Sequence, residues 1–135
     1  DRGLNPTQVC CIYATAPFIQ SQDIRHGAET LVQSGANFAF SVTSFGFPIQ
    51  RAIKLRADGR VEMFHPAHFQ TRSQDLPEAY HDAAQFYWGT QTAWLSGAQI
   101  FDSGSVPVIL PRYRVMDIDT PEDWEQAKAL MQVMA

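Results

Sequence analysis

The chain has 135 residues, 45% of them hydrophobic, with ten Lys and Arg against fourteen Asp and Glu, for a net charge of −4. That size and apolar content give one globular domain over residues 1–135 with a sizeable core, and exclude a disordered or low-complexity segment. Scattered basic residues exclude a general nucleic-acid binder, and no apolar run reaches the ~20 residues of a membrane span.

The opening Asp1-Arg2-Gly3-Leu4 carries no initiator Met and runs within a few residues into an apolar stretch, which raises the expectation of a piece of a longer protein. Residues 9–14 form a near-continuous apolar run bounded by Pro6 and Pro17, the pattern of a strand buried on both faces of a parallel sheet. Its adjacent Cys10 and Cys11 read as small core residues rather than a disulfide or metal pair, which makes the cytoplasm the default compartment. A helix follows, capped by Ser21, with Ile24, Ala28, Leu31 and Val32 on one face, and Ser34-Gly35 ends it. A second strand at 38–42 completes a right-handed crossover unit.

The middle of the chain changes character. Residues 49–55 and 60–64 read as two strands joined by Ala57-Asp58-Gly59, a hairpin signal within an antiparallel insertion of about residues 46–88. A polar loop over 69–77 precedes Tyr80-His81-Asp82 and a short strand at 85–88. Residues 90–95 suit a short helix, 106–110 a strand, and 114–118 a further strand. That last strand delivers Asp117 and Asp119 to one face, immediately before Thr120-Pro121-Glu122-Asp123. Thr is a good N-cap, Pro suits the first helical position, and carboxylates in the first turn are favoured by the helix dipole. The helix runs from Pro121 to about residue 133, with Trp124, Ala127, Leu130 and Met131 apolar-side.

A generic D-x-D merely solvates a strand end. Here the order of strand, acidic pair, turn and helix matches the place where open α/β sheets bind ligands, and two carboxylates side by side repel unless a cation lies between them. Thr15 sits at the carboxyl end of the first strand. Arg51 and Arg72 suit bidentate grip on a carboxylate, or serve as solvated charges. His81 suits either an anion contact or a partly buried structural role. His65 and His68 flank Pro66 with no third ligand at metal-site spacing, so a surface loop is expected there. No G-x-S-x-G, G-x-G-x-x-G or Walker A loop occurs.

Taken together, Ala14-Thr15-Ala16-Pro17-Phe18, the block from Arg72 to Asp82 with Phe86-Tyr87-Trp88-Gly89, and Met116 to Trp124 resemble the cytidylyltransferases that activate nonulosonic acids, the family of CMP-sialic acid synthetase. The resemblance covers essentially the whole chain in order. It implies a three-layer α/β/α, Rossmann-like nucleotide-diphospho-sugar transferase fold with a mixed, mainly parallel sheet. The implied reaction joins CTP and a sugar acid to give the CMP-sugar and pyrophosphate, for surface or flagellin glycosylation.

By the same resemblance Asp117 and Asp119 are catalytic and hold Mg2+ or another divalent cation. Thr15, Gln50, Arg51, Arg72, Gln74, Tyr80, His81 and Tyr87 are the implied substrate contacts. A homodimer paired through the middle segment is implied, with no nucleic-acid or membrane partner. Sialic acid enzymes read Gln-Pro-Thr-Ser-Pro-Leu-Arg where this chain reads Tyr13 to Ile19, and Asn-Gly near Ala83-Ala84; these departures favour pseudaminic acid, with sialic or legionaminic acid as alternatives. The family's Gly/Arg/Lys-rich CTP loop has no counterpart here, so the chain alone is expected not to turn over CTP. The reading from another class is a non-catalytic sugar-acid or metal-binding domain.

Overall fold

A computed structural model describes residues 3–134; Asp1 and Arg2, and with them the reading of the chain's opening, lie outside the described residues. In chain order the regular elements are β1 (Gln8–Ile12), α1 (Ser21–Ser34), β2 (Phe38–Ser44), β3 (Ile53–Leu55), β4 (Val61–Met63), β5 (Tyr80–Thr90), α2 (Gln91–Ser96), β6 (Ser105–Ile109) and α3 (Pro121–Met134), with short 3-10 turns between. They fall into two compact units, one of the residues up to Thr43 together with those from Asp82 onward, the other spanning Ser44–His81. No helix among the described residues is long and apolar enough to cross a membrane.

The larger unit is built on a four-stranded sheet in the order β1-β5-β2-β6. β1 pairs antiparallel to β5, with Gln8 opposite Thr90 and Ile12 opposite Phe86. The amide of Thr90 bonds to the carbonyl of Asn37 and that of Phe45 to Ala79, so β5 also runs against β2. Among the described residues the parallel pair is β2 and β6, with Phe38 opposite Ser105. The expectation of a mainly parallel sheet is therefore corrected. β1 and β2 do run the same way on either side of α1, but β5 lies between them, and nothing local in a strand–helix–strand pattern shows that a third strand inserts.

The same insertion puts β1 at an edge. Its burial alternates and ends exposed, so the expectation of a strand covered on both faces fails, and Cys11 is exposed while Cys10 packs half-buried on the core. Burial pushes the Cys10 thiol up to about 11.

Leu31, Ala39, Ala83, Phe86, Val108 and Leu110 form the core between α1 and the sheet. A Cβ on Gly27, in mid-helix, would lie 2.7 Å from the ring of Phe86 and 2.8 Å from that of Trp88, so a glycine here lets α1 settle on two aromatic rings. Trp88 closes the contact by donating its indole N–H to the carbonyl of Ile24 at 2.8 Å. Ser21 is the first helical residue and not the cap: Gln20 holds the cap position without a side-chain bond, and Gly35 ends the helix in the left-handed region. Val32 lies on the solvent side of α1.

β5 is one strand of eleven residues where the sequence suggests a fragment at 85–88. It bends at Ala84, which has φ +49. There the Ser41 hydroxyl of β2 accepts the amides of Gln85 and Phe86 at 3.2 and 3.1 Å, and an Asp82 carboxylate oxygen accepts the amide of Ala84 at 2.9 Å. Side chains thus satisfy the amides that a regular ladder would use, which is how a bulged strand stays paired.

In the smaller unit, β3 and β4 pair antiparallel about Gly59 at φ +78, with Leu55 opposite Val61. Residues 49–51, expected to begin the first hairpin strand, instead make a 3-10 turn.

Candidate active site

Residues 115–119 carry the acidic pair, and they belong to neither a strand nor a helix. The expected strand over 114–118 is corrected: Arg112–Arg114 form a 3-10 turn, and β6 ends at Ile109. The helix start predicted at Thr120 is as expected. The Thr120 hydroxyl accepts the amide of Asp123 at 3.2 Å, while Asp123 accepts the amides of Thr120 and Asp119 at 2.8 and 3.2 Å, a reciprocal cap. The Thr120 hydroxyl also donates to the Asp123 carboxylate at 2.7 Å, and this bond first, with the two amides after it, holds the Asp123 carboxyl below its ordinary range.

Asp119 is exposed, but Asp117 is half-buried, and its Oδ1 is buried with no hydrogen-bond partner. An orphaned carboxylate oxygen costs free energy comparable to a lost charged hydrogen bond unless a cation or proton meets it. Among the described residues no group of three or more His, Cys, Asp or Glu side chains is set to hold a metal ion. Two carboxylates still fit Mg2+, which commonly takes one or two from protein and completes its shell with water and phosphate oxygens. Thr15 lies half-buried in the turn after β1. Pro17 and Phe18 of that turn line one open groove with Ile118 and the α3 residues Trp124 and Met131, so the structure sets the Thr15 turn beside the acidic segment. Trp124 and Met131 are consequently exposed, and of the expected apolar stripe of α3 only Ala127 is fully buried.

Tyr87 points from β5 into an open cleft of about 470 Å³ with Tyr13, Asp82, Gln99, Ile100 and Phe101. Its ring stacks on Phe40 at 6.0 Å and tilts against Tyr13 at 5.1 Å. Its hydroxyl donates a short hydrogen bond to Asp82. Burial first, and the neighbouring carboxylate second, push the Tyr87 hydroxyl far above its ordinary pKa, so it stays a donor throughout the physiological range.

The remaining candidates lie in the smaller unit or at the start of β5. Gln50 donates to the carbonyl of Pro77 at 3.1 Å, leaving its Oε1 buried and unpartnered, and Arg51 reaches the Ser73 hydroxyl at 3.5 Å. The fold thus brings Gln50 and Arg51 onto the loop that carries Arg72 and Gln74. Arg72 is exposed and spends its guanidinium on Asp75, at 2.8 and 3.3 Å, with Gln74 exposed on the same 3-10 turn. The Tyr80 hydroxyl donates to Glu78 at 2.8 Å, which raises its pKa. His81 packs edge-on to Phe45 at 4.8 Å. His65 and His68 lie on the short turn around Pro66, with His65 exposed.

Sequence reasoning missed Arg114, Asp23 and Gln85. Arg114 is buried, and its Nη1 and Nη2 donate to Asp23 at 2.6 and 3.4 Å, which raises its pKa further. Gln85 is fully buried and donates from Nε2 to the Arg114 carbonyl at 2.7 Å. A polar Gln inside the run Ala83 to Trp88 was the available signal, since buried polar side chains are kept where a partner awaits.

No family model matches the chain. It is 46% identical over 125 residues, 93% of its length, to proteins named pseudaminic acid cytidylyltransferase from two strains of Campylobacter jejuni. It is also 30% identical over 110 residues to a Helicobacter pylori protein named pseudaminic acid cytidylyltransferase and UDP-2,4-diacetamido-2,4,6-trideoxy-beta-L-altropyranose hydrolase, of which it covers 21%. The chain is a homologue of these proteins and spans about half the length of the Campylobacter relatives, 54%.

Proposed function

We propose that this chain is the sugar- and metal-binding portion of a cytidylyltransferase that joins CTP to a nonulosonic sugar acid, with pseudaminic acid the favoured sugar, releasing pyrophosphate. The observation that carries the reading is the 46% identity, across nearly the whole chain, to proteins named for this activity. The Oδ1 of Asp117 supports it independently, because it is a buried carboxylate oxygen without a hydrogen-bond partner, the kind of group a cation satisfies.

In this reading the sugar's anomeric hydroxyl attacks the α-phosphorus of CTP. An oxygen–phosphorus bond forms as the bond to pyrophosphate breaks, the hydroxyl proton passes to solvent water, and no covalent enzyme intermediate is needed. Asp117 and Asp119 would hold Mg2+, which when bound offsets phosphate charge. The residues of the chain bind and orient. Thr15 and Tyr87 offer hydroxyl donors in the larger unit; Gln50, Arg51, Arg72, Gln74, Tyr80 and His81 offer amide, guanidinium, hydroxyl and ring donors in the smaller one. Arg72 must exchange Asp75 for a sugar carboxylate. The whole enzyme would have the three-layer α/β/α Rossmann-like fold, act in the cytoplasm as a homodimer, and supply surface or flagellin glycosylation.

The test assays the product of the complete gene containing this chain, with CTP, Mg2+ and pseudaminic, legionaminic or sialic acid, reading pyrophosphate release and product mass. CMP-pseudaminic acid is expected to form fastest, and Asp117→Asn to slow it by ~100-fold or more. The 135-residue chain alone is expected to be inactive. No product from any of the three sugars overturns the reading in favour of a binding domain, and product from sialic acid alone reassigns the sugar.

A further inference from the structure

Residues 115–119 present both candidate carboxylates without a single ladder or helix to hold them. Such a segment positions its side chains only as well as its two ends are pinned. The downstream end is pinned by the α3 cap, where Asp123 takes the amides of Asp119 and Thr120. The upstream end is pinned at Arg114, and from two directions. Its guanidinium is gripped by Asp23 of α1, and its carbonyl by the buried Gln85 of β5. The next residue, Val115, packs against the core.

We propose that Arg114, held by Asp23 and Gln85, is a positioning residue of the cation site, fixing the start of the 115–119 segment so that the buried Oδ1 of Asp117 faces a divalent cation. The inference rests on the metal reading given above. A buried ion pair adds little to stability over apolar residues of the same volume, so stability alone gives weak reason to place Arg114 and Asp23 here. What the pair adds is a fixed geometry three residues before an orphaned carboxylate oxygen. Residues that orient metal ligands in this way typically matter 10–100-fold in metal affinity, roughly, when replaced.

Mn2+ alone serves as the probe, titrated into the full chain and followed by electron paramagnetic resonance, with a thermal melt for each variant. The variants are Asp117→Asn, Gln85→Met, Arg114→Lys, and the double replacement Asp23→Leu with Arg114→Met, which avoids leaving Asp23 buried and unpaired. One Mn2+ site is expected, lost in Asp117→Asn. Gln85→Met and the double variant should weaken Mn2+ binding by about 10–100-fold while melting near the parent chain. Arg114→Lys keeps the charge but loses the two-pronged grip, and should fall between. If Mn2+ binds in an Asp117-dependent manner with equal affinity in all the Arg114, Asp23 and Gln85 variants, the positioning role is overturned and the metal reading stands. If the parent chain binds no Mn2+, or Asp117→Asn binds it as tightly, the metal reading falls and the positioning role with it.

Discussion

Ala84 occupies a backbone conformation, φ +49, that costs a residue bearing a Cβ ~1–2 kcal/mol. The bulge pays for it, because this turn of the chain frees Asp82 to accept the amide of Ala84 with one oxygen and the Tyr87 hydroxyl with the other. Glycine relieves the strain but gives back ~0.4–1 kcal/mol through the added freedom of the unfolded chain. The strain is the larger quantity, so Ala84→Gly is predicted to stabilise the protein by ~0.5–1 kcal/mol, seen as a higher urea midpoint at an unchanged slope. A lower midpoint would mean that the bulge holds Ala84 without strain. The Asn-Gly pair that sialic acid enzymes carry near Ala83-Ala84 fits this demand for a residue tolerant of positive φ.

Among the elements, α3 shows most directly how a short motif sets a boundary. Thr120 and Asp123 exchange amide bonds across the first turn, so Thr120→Ala is predicted to cost ~1 kcal/mol, measurable as a lower melting temperature. The folded chain holds Asp123 below its ordinary value of 3.8, so the cap's contribution is complete above that value and is lost as the pH falls through the lower, folded value. Thr120→Ala should therefore flatten the acid limb of stability against pH; an unchanged limb would place its origin elsewhere. This helix start was legible in the sequence because capping is local chemistry, as were α1, α2, β2, β6 and the turn at Gly59. The strand expected at 114–118 was not, since an apolar run before a helix looks the same whether or not a neighbouring strand is there to pair with it. Nor was the edge position of β1, which depends on β5 arriving from more than seventy residues away. The acidic pair was visible as a motif, whereas its anchors Asp23, Gln85 and Arg114 are scattered along the chain and meet only in the fold.

At the scale of the molecule, the hairpin of the smaller unit raises the question of assembly. Its register puts Ile53, Leu55, Val61 and Met63 on one face, and Lys54 with Glu62 on the other, where they form an ion pair at 3.4 Å. The charged face suits water, but the apolar face is open, with Leu55 78% and Val61 62% exposed. A two-stranded ribbon is marginal by itself, and clustered exposed apolar side chains mark association surfaces. Two copies that set these faces together would bury four apolar side chains each and leave the Lys54–Glu62 faces outward, and the hairpin lies in the middle segment through which the family resemblance implies a homodimer. The chain is therefore predicted to sediment as a dimer at micromolar concentration. Leu55→Lys with Val61→Lys should leave it monomeric without lowering the melting temperature of the larger unit, because like charges would then meet across the interface and neither residue belongs to that unit's core. A wild-type chain that sediments as a monomer, or a doubly substituted one that remains dimeric, would place any self-association on another surface.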